Sequence, residues 1–188
     1  ADQRKTVFDA LWTQVDRRYS YLELKGIDWD ARRREYWEQA QAAPDDESFY
    51  RTLERMVASL DDGHTALLWY PGKKEQTTPP VTLDWVEKEY VVVEVGPELE
   101  GKLQPGDRLV AIDGRRTEEV AQDLRPYIGH ATEIGRRLSM ARLLLAGEPG
   151  SQAVTLFARG DEYFSLTLER PPLQADAADT PRPASPVS

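Results

Sequence analysis

Residues 103–114 read LQPGDRLVAIDG, and this stretch decides the fold class of the second half of the chain. Pro105-Gly106 favours a tight turn, and the Asp107 carboxylate can accept hydrogen bonds from the backbone of that turn. Asp113-Gly114 is typical of a two-residue β-hairpin connection. The apolar residues between the two turns predict a short strand over 108–112.

The sequence around this stretch alternates between apolar and polar residues. Strands are predicted over 81–86, 90–95, 108–112, 153–158 and 163–169. Thr117 is predicted to cap a short helix and Thr132 a longer one, since a threonine hydroxyl can accept from the first backbone N–H groups of a helix. Residues 81–170 are therefore expected to form one compact α+β domain.

The first 60 residues show a different period, with apolar residues three and four positions apart. They predict three helices: one from residue 7 to Lys25-Gly26, one capped by Asp28, and one capped by Asp45 or Asp46. The overall expectation is an α+β chain with a helical bundle over 1–72, a linker over 73–80, the second domain over 81–170, and a disordered tail or linker over 171–188.

Composition excludes several function classes. The chain has 188 residues, 24 Lys and Arg against 33 Asp and Glu, a formal net charge of −9 and no cysteine. The acidic balance argues against nucleic acid or an anionic membrane as a partner, and the absence of cysteine excludes thiol catalysis and disulfides. No apolar run is long enough to span a bilayer. The start without Met or an apolar leader is expected for a chain that lost a leader or was cut from a longer protein.

Motifs for cofactors and self-contained catalysis are missing from the sequence. It has no phosphate-binding glycine loop, no dinucleotide fingerprint, no Gly-x-Ser-x-Gly and no His-Glu-x-x-His, so we expect no cofactor. Asp61-Asp62 stands close to His64, but adjacent carboxylates point apart and one imidazole does not complete a coordination shell. These residues are interpreted as a solvated helix end, and no metal site is predicted.

Two sets of motifs resemble known families. The stretch LQPGDRLVAIDG is similar to the central signature of PDZ domains, especially the circularly permuted bacterial kind. A second set of motifs resembles the C-terminal-processing (tail-specific, tricorn-core-like) serine peptidase family over about residues 5–170. These motifs are the aromatic first helix, KGIDWD at 25–30, LDDGHT at 60–65, RPYIG at 125–129, LLLAG at 143–147 and Arg170.

The resemblance implies an order of domains and a function. In that family a helical region and a PDZ domain precede a catalytic α/β domain, so this chain looks like the first two parts without the nucleophile. The second domain is then expected to be a circularly permuted PDZ-like small β-barrel or sandwich with two helices. The chain is expected to position unfolded or C-terminal peptide segments for a catalytic domain, to be inactive alone, and to be periplasmic or secreted.

The resemblance also implies site residues. In the tricorn-like branch a histidine at the position of His64 joins the catalytic network and follows a serine, where this chain has Gly63. The alternative is that His64 satisfies the last carbonyls of the third helix. His130, at a helix start, is expected to be structural or simply exposed.

A peptide-binding groove is the second predicted site. An extended peptide is expected to add to the edge over 81–85, on an apolar floor supplied by Val120 and Leu124 of a facing helix. The helix after Thr132 is an alternative floor, and all of these residues could instead be core. Pro79-Pro80 stands where a glycine-rich carboxylate loop is usual, so carboxylate capture is in doubt. The predicted groove residues are Val81, Leu83, Trp85, Val120 and Leu124.

Two other functions remain open at this point. The chain could be a stand-alone PDZ-type peptide-binding adaptor, or a catalytically dead scaffold. The Pro-rich end favours the peptidase fragment, because such a stretch serves well as an interdomain linker.

Overall fold

The structure is a computed structural model that describes residues 2–173. The tail predicted over 171–188 lies almost entirely outside the described residues. Within residues 2–173 the chain has five α-helices and a six-stranded antiparallel sheet, which confirms the α+β class. No helix among these residues is both long enough and apolar enough to cross a membrane.

Three helices form the N-terminal part: α1 (Asp2–Arg18), α2 (Trp29–Gln41) and α3 (Asp46–Ala58). Asp28 caps α2 by accepting from the Ala31 N–H at 2.8 Å, and Asp45 caps α3 by accepting from the Ser48 N–H at 2.7 Å, as predicted. Both contacts satisfy backbone donors that have no partner inside the helix.

The predicted end of the first helix is wrong. Helix α1 stops at Arg18, and the following residues form turns. Gly26 still takes the left-handed conformation, with φ of +64°, because it closes a separate turn in which the Ile27 N–H donates to the Leu22 carbonyl. The apolar period continues past Arg18 because Tyr19 and Leu22 still pack on the helical core.

The sheet part contains β1 (Val81–Val86), β2 (Glu89–Val95), β3 (Arg108–Ile112), β4 (Arg115–Arg116), α4 (Thr117–Leu124), α5 (Glu133–Ala141), β5 (Gln152–Arg159) and β6 (Glu162–Glu169). The strand order is β1-β2-β3-β5-β6, with β4 paired to β3. Strands β1 and β6 are the two edges, so the sheet is open. The strands of the expected PDZ-like small barrel or sandwich therefore form an open sheet.

The turns of the sheet part follow the sequence. Asp113 and Gly114 both have positive φ, +50° and +77°, which matches the twist that a two-residue hairpin needs. Thr132 caps α5 by accepting from the Gly135 N–H at 3.1 Å. Thr117 is not a cap: it is the first residue of α4, and its hydroxyl donates to the Leu109 carbonyl at 2.8 Å.

Asp107 holds the turn before β3. Its buried carboxylate accepts from the Gln104 N–H at 2.9 Å and from Arg159 Nε and Nη2, each at 2.7 Å. Burial acts to raise the pKa of this carboxyl, but the hydrogen bonds from Arg159 and Gln104 outweigh it, so the pKa lies below its ordinary value. The turn and β5 are therefore joined by a charged pair.

Two groups of buried apolar side chains form separate cores. One lies among the three N-terminal helices and includes Phe8, Phe49 and Met56. The other lies between the sheet and helices α4 and α5 and includes Phe157 and Met140. The division into two domains and the boundary over 73–80 stay predictions.

A close backbone contact joins the two parts. A methyl group on Gly129 would lie 2.9 Å from the Ala58 carbonyl oxygen and 3.1 Å from that of Asp62, so only glycine fits without backbone movement. Beside it, Arg136 Nη2 on α5 donates to Asp61 Oδ1 at 2.6 Å. Helix α5 is thus tied to the residues that follow α3.

The two ends of the sheet part meet. Thr77 and Gly147 exchange backbone hydrogen bonds of 3.0 and 3.1 Å, and the Thr77 hydroxyl donates to the Pro171 carbonyl at 2.8 Å. The buried Arg170 guanidinium donates to the carbonyls of Leu145 and Gln152 at 2.8 and 3.0 Å. The segment that leads into the sheet part is therefore bonded to the segment that leaves it.

Candidate functional site

His64 lies on the coil that follows α3, and its side chain is 100% exposed. Its backbone N–H donates to Asp62 Oδ1 at 2.9 Å, and its Nδ1 lies 3.4 Å from the same oxygen. This N–H is the main cause that lowers the pKa of the Asp62 carboxyl, with Tyr19 and Lys25 adding to it against the effect of burial. The turn at Asp62 therefore presents the imidazole to solvent.

The structure does not support His64 as a helix cap. Helix α3 ends at Ala58, and the carbonyls of Leu60 and Asp61 accept instead from Lys25 Nζ, each at 2.9 Å. Among residues 2–173, no serine hydroxyl hydrogen bonds to His64, so the described residues do not supply it with a nucleophile.

Gly63 is explained by the packing of the other histidine. A Cβ at Gly63 would lie 2.9 Å from His130 Cδ2, and a Cβ at Gly135 would lie 1.9 Å from His130 Cε1. The His130 ring therefore packs against both glycines. A serine at position 63 would require the His130 ring to shift.

The coil after His64 carries apolar side chains that the sequence analysis did not single out. Leu68 and Trp69 are 79% and 65% exposed. On either side of them, Leu67 packs on the helical core and Tyr70 stacks on Tyr50 with ring centroids 4.7 Å apart. The coil is thus anchored at two points and holds leucine and indole side chains in solvent. We call residues 64–69 the His64 coil.

The predicted groove strand is an edge strand. Strand β1 pairs with β2 on one side, and helix α5 packs against it. Val81 and Trp85 are partly buried against the sheet core, and Leu83 is a core residue. The backbone of an edge strand offers N–H and carbonyl groups to a further strand.

The two candidate helices differ in position. Val120 and Leu124 lie on α4, which packs against β3, and both are partly buried against the sheet core. Helix α5 is the one packed against β1, which agrees with the alternative left open by the sequence. Its Ile134 and Leu138 are 67% and 36% exposed and lie one turn apart.

Arg137 fixes α5 on the sheet. Its Nη1 donates to Glu118 Oε2 at 2.6 Å, and its guanidinium carbon lies 4.6 Å from the centroid of the Trp85 ring. The hydrogen bond to Glu118 raises the pKa of Arg137 and lowers that of Glu118. The Trp85 and Tyr90 rings pack at a tilt of 56° with centroids 4.6 Å apart, and the Tyr90 hydroxyl contacts Met140 of α5. Side-chain contacts therefore join α5 both to β1 and to α4.

The start of β1 lacks free amide donors. Pro79 and Pro80 have no N–H, the Val81 N–H donates to the Pro79 carbonyl at 2.7 Å, and the Gly96 N–H donates to the Pro80 carbonyl at 2.7 Å. Further along, the Trp85 N–H donates to the Asp84 carboxylate at 2.6 Å. A depression does lie at the start of β1, lined in part by Thr78, Pro80 and Pro97, but these backbone amides are already engaged.

Metal binding has no support in the geometry. Within residues 2–173, no group of three or more histidine, aspartate or glutamate side chains could hold a metal ion. Asp61, next to Asp62 in sequence, pairs with Arg136.

Comparison with known proteins gives one family match and a shared fold. Residues 1–58 match the family model described as the Tricorn protease C1 domain. No curated protein sequence matches the chain. Two crystal structures of mature CPAF, one of them complexed with lactacystin, superpose on 88% of this chain with a TM-score of 0.70 and 13% identity.

A photosystem II D1 C-terminal processing protease also aligns, with 23% identity over 91% of this chain and 44% of its own, at a TM-score of 0.48. The chain spans about a third of the length of the CPAF chains, 34% in each case. Residues 1–58 are thus similar to the Tricorn protease C1 domain, and the chain as a whole shares its fold with part of mature CPAF.

Proposed function

We propose that this chain is the N-terminal helical and PDZ-like portion of a C-terminal-processing-type serine endopeptidase, which binds protein substrates as extended segments and positions them for a catalytic domain. The observation that carries the proposal is edge strand β1 with α5 packed against it, because this pair offers backbone hydrogen bonds beside the exposed Ile134 and Leu138. The chain by itself has no peptidase activity, and the protein is periplasmic or secreted.

The His64 coil supports the part of the proposal that concerns a catalytic domain. Leu68 and Trp69 expose a large apolar area beside a fully exposed imidazole, and such area favours contact with another protein surface. The catalytic domain is the proposed partner, because the chain aligns with only a third of each CPAF chain. His64 is then proposed to join the serine network of that domain.

Peptide binding is the first test. A labelled extended peptide with a free C-terminal carboxylate and its amidated form are titrated against the chain by fluorescence anisotropy. We expect equal affinity, because the amides at the start of β1 are engaged by Pro79 and Pro80 carbonyls or absent. A preference for the free acid of tenfold or more would contradict this expectation.

Variants locate the peptide. Ile134→Asp on α5 is expected to weaken binding by about tenfold or more, since burial of an isoleucine side chain is worth roughly 1.5–3 kcal/mol. Val154→Asp is the matched control, because Val154 is also exposed, at 55%, but lies on β5. Equal loss in the two variants, or no binding by the wild type, would remove the proposed groove.

His64 is tested in a longer protein that carries this chain and a catalytic domain. We expect His64→Ala to lower turnover by about 100-fold or more, the usual contribution of a general acid or base. The melting temperature should not change, because the side chain is 100% exposed.

His130→Ala is the comparison for this experiment. It removes a ring packed against Gly63 and Gly135, so it should lower the melting temperature while the folded protein keeps its turnover. Unchanged turnover in His64→Ala would show that the imidazole takes no part in catalysis. Turnover of an unfolded protein by the 188-residue chain alone, blocked by a serine-directed inhibitor, would contradict its proposed inactivity.

A further inference from the structure

A second concave surface lies where α2 and α3 meet the turn Arg125–Tyr127 of the sheet part. Its polar lining residues are Gln39, Ser48, Arg51, Thr52, Arg55 and Tyr127. It is separate from β1 and from the His64 coil, and neither the family match nor the proposed peptide groove accounts for it. We call it the arginine depression.

Arg55 is partly buried in this depression without a carboxylate partner. Its Nη2 donates to Gln39 Oε1 at 2.9 Å and to Thr52 Oγ1 at 3.2 Å, both neutral acceptors. Its Nε is buried and has no hydrogen-bond partner in the part of the chain that the structure describes. A buried charged donor without an acceptor is costly to the folded state.

Arg51 adds a second positive charge one helical turn earlier. Its Nε donates to the Tyr127 hydroxyl at 3.2 Å, and its guanidinium carbon lies 4.6 Å from the ring centroid. The Tyr127 hydrogen bond is the main cause that raises the pKa of Arg51. The nearby Glu54 carboxylate forms an ion pair with Lys73 Nζ, with the two atoms 2.8 Å apart. Within residues 2–173, Arg51 itself forms no ion pair.

The donors of this surface outnumber its acceptors. Like charges at positions i and i+4 of a helix repel each other, and here they occur in a chain with a net charge of −9, where many other arginines are ion-paired. The Tyr127 hydroxyl accepts from Arg51, so its own proton is free to donate. Two guanidinium groups and a hydroxyl form a donor set suited to an oxyanion.

We propose that the arginine depression binds an oxyanion, either a phosphate or a carboxylate. The anion is held by Arg51 and Arg55 of α3 and by the Tyr127 hydroxyl, so it bridges the helical part and the sheet part. Occupancy neutralises the repulsion between the two arginines and stabilises the contact between the two parts.

Thermal unfolding of the 188-residue chain tests this proposal. Melting curves are recorded in potassium phosphate, potassium acetate and potassium chloride at matched ionic strength and pH 7. A ligand that binds only the folded state raises the melting temperature as its concentration rises. A melting temperature that is higher in phosphate than in chloride, but not in acetate, assigns a phosphate site. A melting temperature that is higher in acetate than in chloride assigns a carboxylate site. Identical curves in all three salts would overturn the proposal.

Charge-matched variants locate the ligand. Arg51→Gln and Arg55→Gln are each expected to lower the affinity for the anion by about tenfold or more, since each variant removes a charged hydrogen-bond donor. Arg34→Gln makes the same charge change on the exposed face of α2, where Arg34 forms no ion pair with described residues, and it should keep the full response. Equal loss in all three variants would overturn the site.

Tyr127→Phe is a second variant of the site that can be measured if the arginine variants fail to fold. It removes one hydroxyl and keeps the ring that packs against Arg51. We expect a measurable loss of anion affinity with the fold retained, and an unchanged response in this variant together with Arg51→Gln would exclude the depression as the binding site.

Discussion

Asp107→Ala is expected to lower the free energy of unfolding by about 2 kcal/mol, since a buried group that loses its hydrogen-bond partner costs about 1–3 kcal/mol, while Arg159 is 40% exposed and can be solvated. The carboxylate is 0% exposed and accepts three hydrogen bonds, from the Gln104 N–H and from two nitrogens of Arg159. Its removal leaves the Gln104 N–H without this acceptor and leaves the Lys102 carbonyl, at 3.2 Å from Arg159 Nη2, as the acceptor for Arg159 in this turn. Urea denaturation followed by circular dichroism measures the change.

The control for this variant is a pair of similar geometry at the surface. Arg108 and Glu89 form an ion pair of 2.8 Å in which the carboxylate side chain is 47% exposed, so Glu89→Ala should cost less than about 1 kcal/mol. Equal costs for the two variants would show that the Asp107 pair gains nothing from its burial.

The same pair sets a pH dependence. The pKa of Asp107 is lowered in the folded state, so its contribution to stability is complete above the unfolded pKa of about 3.9 and is lost as the pH falls below it. We expect the stability difference between the wild type and Asp107→Asn to shrink as the pH is taken from 6 to below about 3. A difference that stays constant over this range would contradict the ion pair.

Phe157→Ala is expected to cost about 4 kcal/mol, since truncation of a buried phenylalanine typically costs 3–5 kcal/mol. Phe157 is 0% exposed, lies on β5, and stacks on Phe164 of β6 with ring centroids 5.9 Å apart. Strand β5 lies between β3 and β6, and Phe157 belongs to the sheet core, so the cavity would lie within that core.

Val154→Ala on the same strand is the control for Phe157→Ala, because Val154 is 55% exposed and should cost less than about 0.5 kcal/mol. Unfolding is followed by circular dichroism for both variants. A loss below about 1 kcal/mol in Phe157→Ala would mean that the sheet core does not depend on this ring.

Local chemistry in the sequence was enough to predict most elements of the fold. The caps at Asp28, Asp45 and Thr132 and the hairpin at Asp113-Gly114 lie where they were predicted, because each depends on residues within a few positions of one another. The first helix was predicted too long because Tyr19 and Leu22 keep the helical period while they pack from a turn. Apolar periodicity indicates which side chains are buried. Here the backbone changes from helix to turn after Arg18, while the following apolar side chains stay packed on the core.

Features that depend on distant residues could not be predicted in the same way. The sheet would close only if strands β1 and β6 paired with each other, and no local sequence pattern predicts whether two distant strands pair. The choice between α4 and α5 as the neighbour of β1 is likewise decided by tertiary packing. The arginine depression joins Arg51 to Tyr127, which are 76 positions apart, so it exists only in the folded chain.

The bonded ends of the sheet part have a consequence for evolution and for the orientation of this part. Thr77 and Pro171 are 94 positions apart, yet the hydroxyl of one contacts the carbonyl of the other. A domain whose first and last residues lie together can be inserted into another protein, or removed from it, without a change in the path of the surrounding chain. Because the chain enters and leaves the sheet part at one place, the orientation of this part on the helices depends on the contacts at Gly129, Arg136 and Tyr127.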